Sequence, residues 1–458
     1  MDLSTILPGI LLLGIVIFFH ELGHFLAAKW RGVTVLKFSL GMGPEMIGFT
    51  SGGTRYCFSW IPLGGFVQMA GDSPNEDGSL PEGGQEQFLT HHWFGRLIIA
   101  VAGPAANLVT AYVVMTSMCL IGLTQPDWPN VLGPVPDTTA AYAAGMREGD
   151  VVKRVGATTV RTWHDIDVAY EAHGESTALT FMLDRAGTEV ALSVPGPQIK
   201  RTLADLMPQP SLPVVGTVLT GMPAYRGGVR EGDTVVAVDG KPVRYFMDIG
   251  QGLRGKVDTP VKLTVERDGK PMDLTVTPLS QKGGADRQSA IIGIEAPRGL
   301  TWKQKFTLSE AVKAGFYGTG SLVSSVYGGM WMTVSRPLYY REYVGGPIFI
   351  AQMARDSARK GIDNYLYFLA MINIAIMAFN LLPIPLLDGG HILLALLEAV
   401  RRRSISARTY INFQKVGLVL VGTLFVLILS KDIVRPFQRM RALDKAPGET
   451  TTVAPSSR

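Results

Sequence analysis

In this chain of 458 residues, the run His20-Glu21-Leu22-Gly23-His24 is the first whose residue types and spacing suit a catalytic site. On a helix, His20 and His24 are one turn apart and share a face, so both imidazoles can reach one metal ion. Glu21 lies beside that face, where a carboxylate can act as general base toward a water molecule. The pattern therefore predicts a metal-dependent hydrolase. The structural alternative is a pair of buried polar side chains that neighbouring helices satisfy.

A hydrolytic zinc site needs a third protein ligand and one position left open. Asp388 is the candidate, because it follows an apolar run that ends in two prolines, Pro383 and Pro385, which unwind a helix. A lone aspartate in apolar surroundings needs a partner, and a metal ion supplies one. Two alternatives stay open: Asp388 could end a helix at the membrane interface, or His391 could be the ligand instead.

The elements that must hold these residues are apolar runs near both ends of the chain. Hydrophobic residues make up 47% of the sequence and charged residues 18%, whereas a typical soluble domain carries about 25% charge. This composition excludes a disordered chain, and two cysteines exclude a disulfide scaffold. Four runs approach the roughly 20 residues that cross a bilayer as a helix. The predicted spans are 6–28, 95–123, 365–387 and 413–430.

The first span resembles a signal peptide in length but lacks a basic start and a small-residue cleavage site, so we interpret it as retained. The distribution of lysine and arginine predicts how the spans are oriented. The loops after spans one and three are basic and should be cytoplasmic, which places the central segment outside; basic residues after span four favour the opposite. The residues that carry this prediction are Lys29, Arg31, Lys37, Arg96, Arg401, Arg402, Arg403 and Arg408.

The central residues 124–300 have an ordinary globular composition and contain an internal repeat. Residues 145–150 (GMREGD) align with residues 228–233 (GVREGD) at an offset of 83, and later positions keep the register. Such self-similarity predicts two copies of one folding unit.

Each copy resembles a bacterial PDZ domain, which binds a peptide by strand addition in a groove between a strand and a helix. The resemblance implies PDZ domains at 124–205 and 206–300. It also implies carboxylate-binding loops near 132–135 and 212–216. The alternative for either copy is a spacer that binds no ligand.

The two membrane motifs together resemble those of the site-2 protease family of intramembrane metalloproteases. That family pairs an H-E-x-x-H in its first core helix with an N-x-x-P-x-P-x-L-D-G in its third, and both motifs are intact here. With two PDZ-like copies between spans two and three, the chain is most similar to the bacterial regulator-of-sigma-E protease type. The resemblance extends over essentially the whole chain.

This resemblance implies one Zn²⁺ per chain, held by His20, His24 and Asp388, with Glu21 as the general base. It further implies that Asn380 holds the substrate backbone or the oxyanion. The other residues that we assign to substrate binding are Pro383, Pro385, Gly43, Gly64 and Asn107, the last of which stands in a G-P-x-x-N run of span two.

The resemblance also gives the expected fold class: a multi-pass α-helical membrane protein with four transmembrane helices and two inserted periplasmic PDZ (α+β) domains. Residues 33–69 resemble the family's reentrant β-hairpin loop, for which an ordinary cytoplasmic hairpin is the alternative. Residues 301–363 are expected to form amphipathic helices on the membrane surface, opened by a capping box at Thr307 and Glu310. Ordinary domain packing is equally consistent with that segment. Residues 1–123 and 364–458 would be the two membrane parts.

The implied activity is that of a metalloendopeptidase in the bacterial inner membrane, with its active site toward the cytoplasm. Its substrates would be single-span membrane proteins already trimmed outside, such as an anti-sigma factor, and also remnant signal peptides. The PDZ pair would act as a size filter, and the net charge of +5 gives no reason to expect nucleic acid. Two other functions were weighed: a PDZ scaffold with a degenerate metal site, which would not need Glu21, and a secreted zinc peptidase with an uncleaved signal.

Overall fold

The computed structural model describes residues 3–75, 79, 81–173, 177–219, 221–280, 290–297, 299–335 and 345–444, with the side chains of 3–6, 62–63 and 431–444 left out. These residues belong to two compact units. One unit comprises the described residues within 3–123 and 305–434, and the other comprises those within 124–304 together with 435–444. Residues 336–344 of the expected surface helices and 445–458 of the expected C-terminal membrane part lie outside the described residues.

The helices of both units follow one another in chain order. They are α1 (Leu3–Arg31), α2 (Trp93–Ile121), α3 (Ala140–Ala143), α4 (Trp163–His173), α5 (Gly196–Ala204), α6 (Pro223–Arg226), α7 (Phe246–Leu253), α8 (Leu308–Ser335), α9 (Pro347–Lys360), α10 (Ile362–Asn380), α11 (Asp388–Arg401) and α12 (Ala407–Asp444).

The strands are mostly short, apart from the first two. They are β1 (Val35–Ser51), β2 (Thr54–Met69), β3 (Leu123–Pro126), β4 (Val151–Val155), β5 (Thr158–Thr159), β6 (Leu179–Arg185), β7 (Thr188–Val194), β8 (Thr217–Val218), β9 (Thr234–Val238), β10 (Lys241–Pro242), β11 (Val261–Arg267), β12 (Lys270–Val276), β13 (Leu279–Ser280), β14 (Ala290–Ile291), β15 (Ile294–Glu295) and β16 (Thr301–Gln304).

Among the described residues, four helices of the first unit are long and apolar enough to cross a membrane: α1, α2, α10 and α12. Helix α2 is central, because α1, α8, α10 and α11 all pack against it. Only 6% of the apolar stretch of α12 is buried within the protein. An apolar helix with so much free surface is typical of one that faces lipid.

The predicted third span, 365–387, is wrong at its C-terminal end, because helix α10 ends at Asn380. Pro383 and Pro385 have no backbone N–H to donate, and Leu386 has a φ of +74°, so the chain cannot continue as a helix. It turns sharply and starts α11 at Asp388. The turn is packed so closely that a Cβ on Gly390 would lie 2.6 Å from the carbonyl oxygen of Ile384.

Strands β1 and β2 form one long antiparallel hairpin, as the sequence pattern predicts. Its tip is Gly52-Gly53, and both glycines adopt positive φ. The register shifts several times in the middle of the hairpin, which marks β-bulges. Near α1, Phe38 packs edge-on against Phe25 with ring centroids 5.4 Å apart. The outer part exposes large apolar side chains, among them Phe49 and Trp60.

The predicted capping box before α8 is confirmed. The Thr307 backbone N–H donates to Glu310 Oε2 at 2.9 Å, and the Glu310 N–H donates back to Thr307 Oγ1 at 3.4 Å. Hydrogen bonds from Thr307 lower the pKa of the Glu310 carboxyl below its ordinary value. Helix α8 then packs along α2 and α10, whereas α9 packs against α1 and α10.

The second unit contains two four-stranded antiparallel sheets, with strand orders β5-β4-β6-β7 and β10-β9-β11-β12. Each sheet has its own hydrophobic core. The offset of 83 seen in the sequence recurs in the hydrogen bonds: Leu132 N–H donates to the Asp150 carbonyl at 2.8 Å, and Val215 N–H to the Asp233 carbonyl at 2.7 Å. The two copies therefore share one fold.

The two copies differ at two equivalent positions. The first copy has Pro134 and Pro136 where the second copy has Thr217 and Leu219. In the second copy, β8 pairs with β15, and the Leu219 N–H donates to the Gly293 carbonyl at 2.9 Å. Proline at the equivalent position cannot donate this bond. The first copy accordingly has no assigned strand among its described residues at this point.

Candidate metal centre

Two elements bring the predicted metal ligands together. His20 and His24 lie one turn apart on α1 and are 7% and 8% exposed. Asp388 is the first residue of α11, directly after the turn that ends α10. The Nε2 atoms of the two histidines are 3.3 Å apart. Asp388 Oδ2 is 3.2 Å from His20 Nε2, and its Oδ1 is 3.2 Å from His24 Nε2.

These separations suit a small tetrahedral metal ion. Zinc binds histidine nitrogen and carboxylate oxygen at about 2.0–2.2 Å, which puts adjacent tetrahedral ligand atoms about 3.3 Å apart. Asp388 Oδ2 is also buried without accepting a hydrogen bond in the described part of the chain. An unsatisfied buried carboxylate oxygen facing two imidazoles calls for a cation. Within the described residues, His20, His24 and Asp388 are the group of metal-binding side chains that meets in this way.

The hydrogen bond behind His24 fixes its tautomer. His24 Nδ1 lies 2.7 Å from the carbonyl oxygen of Ile99 in α2. A carbonyl can only accept, so Nδ1 carries the proton and Nε2 of the neutral ring presents a lone pair toward Asp388. A metal ligand needs this arrangement, and a backbone carbonyl is a common partner for it.

The G-P-x-x-N run of α2 supports both histidines from behind. Asn107 is fully buried, and its Nδ2 lies 3.2 Å from His20 Nδ1. Its Oδ1 has no hydrogen-bond partner in the described part. If the amide is turned by half a rotation, Oδ1 accepts a hydrogen bond from the Nδ1–H group of His20, which leaves Nε2 of His20 free as a ligand. One turn earlier, a Cβ on Gly103 would collide with the imidazole of His24.

A cavity of about 570 Å³ opens in front of the cluster. Glu21 lines it beside the two histidines, and the Val67 backbone N–H faces the Glu21 carboxylate. The hairpin residue Gly65 is so close that a Cβ there would lie 3.2 Å from Glu21 Cγ. Strand β2 thus forms one wall of the cavity, next to the candidate base.

The residues that we assigned to substrate binding separate into two groups. Gly64 and Asn380 line the cavity, and Asn380 Nδ2 lies 3.2 Å from His20 Nε2. The residues that do not line it are Gly43, Asn107, Pro383 and Pro385. His391, the competing ligand, lines the same cavity but lies outside the cluster formed by the other three.

Sequence reasoning missed the supporting role of α2. The signal was present, because Gly103 and Asn107 have the same four-residue spacing as His20 and His24. Residues four apart lie on one face of a helix, so two packed helices can bring such pairs into contact. The contribution of the Ile99 carbonyl had no such signal, since every residue carries a carbonyl.

Comparisons with known proteins relate this chain to metalloproteases. A sequence model of peptidase family M50 matches residues 8–424. A Treponema pallidum (strain Nichols) protein that carries the name zinc metalloprotease is 30% identical over 456 residues, covering 93% of this chain and 98% of its own length. A Neisseria meningitidis protein named as a zinc metalloprotease is 29% identical over 94% of this chain and 99% of its own. Protease RseP of Yersinia pestis is 28% identical over 93% and 97%.

Proposed function

The chain belongs to peptidase family M50, the site-2 protease family, and we propose that it cleaves within the transmembrane segments of other proteins. It is a zinc-dependent metalloprotease with helices suited to a multi-pass membrane protein. The observation that carries the proposal is the position of the cluster: His20 and His24 are buried in a helix that is apolar enough to cross a membrane. Ionisable residues at such positions are costly and mark functional sites.

We assign His20, His24 and Asp388 as the zinc ligands and Glu21 as the general base. Bound zinc supplies a Lewis acid that polarises a carbonyl oxygen and lowers the pKa of water. Glu21 is well placed to take a proton from the attacking water, because it lines the cavity within one residue of the His20 ligand. The same carboxyl group would then deliver the proton to the leaving amine.

We assign different roles to the two asparagines. Asn380 faces the cavity, so its amide N–H is available to the carbonyl oxygen of the scissile bond. Asn107 is a positioning residue, since it is fully buried behind His20 and holds the ring through Nδ1. This replaces the substrate contact that the sequence suggested for Asn107.

A peptide bond within a helix is shielded by its own backbone hydrogen bonds, so a substrate helix must unwind before hydrolysis. Strand β2 offers a way to hold the unwound segment, because the stretch from Gly64 to Val67 lines the cavity next to Glu21. An extended peptide that adds to a strand edge keeps its backbone groups hydrogen-bonded. The reentrant placement of the hairpin in the membrane is part of this proposal.

The finer biological setting is also proposed. The two repeat copies would be PDZ domains on the outer side of a bacterial inner membrane, and the metal site would face the cytoplasm. On the outer side, the two PDZ domains would exclude substrates with bulky outer domains. The substrates would be trimmed single-span proteins such as an anti-sigma factor, together with remnant signal peptides.

Co-expression with a panel of tagged single-span proteins tests the function. Wild-type protein should release cytoplasmic fragments from at least one member, and Glu21→Gln should release none while keeping its zinc. A Glu310→Gln variant is the matched control, since it removes a carboxylate that is not part of the cavity lining, and it should cleave normally. Equal cleavage by wild type and Glu21→Gln would refute the assignment of the base.

A further inference from the structure

A second cavity in the first unit, of about 550 Å³, lies away from the candidate metal ligands. It is bounded by the segment before α2, the N-terminal end of α2, the C-terminal end of α11 and the loop that follows. Its polar lining is rich in nitrogen. The lining includes His91, His92, Arg96, Glu398, Arg402 and Arg403, and Tyr410 lines both this cavity and the first one.

Within the described residues, the cavity lining includes buried nitrogens that make no regular hydrogen bond. His91 is only 5% exposed, yet neither ring nitrogen makes a hydrogen bond in the described part of the chain. A weak hydrogen-bond contact with the Gln85 backbone raises the pKa of the ring, but its geometry is too poor to satisfy a ring nitrogen. Arg96 is 9% exposed, and its Nε is likewise unpartnered. Buried polar groups are nearly always satisfied, so unpartnered groups at one cavity point to a missing partner.

The charge of the lining indicates what this partner is. Glu398 is the one acidic residue among the described residues that line the cavity. Both of its oxygens are occupied, one by Arg96 and the other by the Ile405 backbone N–H at 3.0 Å. Arg402 and Arg403 add two further positive charges. Burial and the nearby charges of Arg31 and Arg96 lower the pKa of His91, which is the effect of an electropositive site.

We propose that this cavity binds a phosphate group, either of an anionic phospholipid headgroup or of free phosphate. The cavity lies at the N-terminal ends of α2 and α12, two helices that are suited to span a membrane, and headgroups are found at such ends. Basic pockets between such helices bind anionic headgroups. The apolar lining residues Leu89, Leu394 and Ile405 and the neighbouring Trp93 would accommodate the lipid beyond the phosphate. This inference is independent of the proposed proteolytic function.

Native mass spectrometry of the full chain in detergent tests the proposal. The protein is titrated in separate arms with phosphatidylglycerol, phosphatidylcholine and inorganic phosphate. Phosphatidylglycerol should bind more tightly than phosphatidylcholine. A basic residue near an anionic surface contributes a factor of about five, so Arg402→Gln with Arg403→Gln should weaken binding about 25-fold. His91→Gln should weaken it as well, whereas Arg408→Gln, which removes a nearby charge outside the lining, should not.

The outcomes separate the sources of the ligand. Tight binding of inorganic phosphate that depends on His91, without a preference for phosphatidylglycerol, would identify a soluble ligand of the same chemistry. No binding in any arm, or equal losses for Arg408→Gln and the double variant, would overturn the proposal. Arg402 and Arg403 are exposed, so the double variant should fold normally and remain informative if His91→Gln does not.

Discussion

Asp233 in the second unit and Asp388 in the first are both carboxylates largely withdrawn from water, but their partners differ. Asp233 is 1% exposed and accepts from Nε and Nη2 of Arg267, each at 2.7 Å, and from the Arg230 backbone N–H at 2.8 Å. Asp388 faces two imidazoles, and its Oδ2 accepts no hydrogen bond in the described part of the chain.

The difference teaches how a shielded carboxylate reveals its role. A bidentate arginine and a backbone N–H satisfy both oxygens of Asp233, so the group stabilises a turn and does not need a metal ion. The same arrangement recurs at Asp150, which accepts from Arg185 Nε at 2.7 Å. The oxygens of Asp388 are instead directed at two nitrogens that themselves need a cation between them. The residue type is the same, and the Asp388 side chain, 18% exposed, is still largely shielded from water. The hydrogen bonds that each carboxylate accepts distinguish the structural group from the candidate ligand.

The largest effect is expected at Asp388. Asp388→Asn removes a charged ligand, so zinc affinity should fall by more than the roughly 10–100-fold that the loss of a supporting partner costs. Elemental analysis of purified protein measures this loss, and reporter cleavage should fall with it. Asp233→Asn is the matched control and should keep its zinc. Unchanged zinc in Asp388→Asn would remove this residue from the ligand set.

Asp233→Asn should act on stability instead. Breaking a buried ion pair from one side costs about 3–5 kcal/mol, because the remaining charge is uncompensated. The Arg267 side chain is 12% exposed and the Arg185 side chain 39%, so Asp150→Asn should cost less, about 1–3 kcal/mol. Hydrogen exchange of β11 and β6 in the full chain measures both. Equal losses in the two copies would show that arginine burial does not set the cost.

Asn107→Ala tests the support behind His20. Zinc affinity should fall about 10–100-fold, which is the usual cost of losing an outer partner of a histidine ligand. Asn373→Ala is the matched control, since Asn373 is equally buried but donates to Leu369 of its own helix at 2.9 Å. Zinc affinities measured by competition with a chelator should separate the two variants. A similar loss in both would reduce Asn107 to a packing role.

The smallest effect is expected at the capping box. Thr307→Ala removes the cap of α8 and should cost about 1 kcal/mol locally. Hydrogen exchange should rise in the first turn of α8 only, with zinc content unchanged. Spread of the effect to the zinc site would mean that α8 helps to hold the metal ligands through α2.

The side chains of the candidate metal centre could be picked out of the sequence because metal-binding chemistry restricts residue type and spacing. His20 and His24 need one helical turn between them, and Asp388 stands out as a charge in an apolar run. The hairpin and the repeat were predictable for the same reason, since strand patterns and self-similarity are local features of sequence.

What could not be predicted depends on contacts between distant segments. The end of α10 at Asn380 reflects a turn that packs onto itself and onto α12, where a Cβ on Gly417 would meet the Pro385 carbonyl oxygen at 2.6 Å. The pairing of Asn107 with His20 joins residues 87 positions apart. The structural effect of Pro134 and Pro136 becomes clear only when the first copy is compared with the second, in which β8 pairs with β15.

X-ray absorption at the zinc edge of the purified wild-type protein tests the central claim most directly. The account predicts one zinc per chain, with two imidazole nitrogens and carboxylate oxygen at about 2.0–2.2 Å. It also predicts that the imidazole signal disappears when His20 and His24 are both replaced by alanine. Zinc surrounded by sulfur, or an imidazole signal that survives this double replacement, would contradict the assignment of the metal centre.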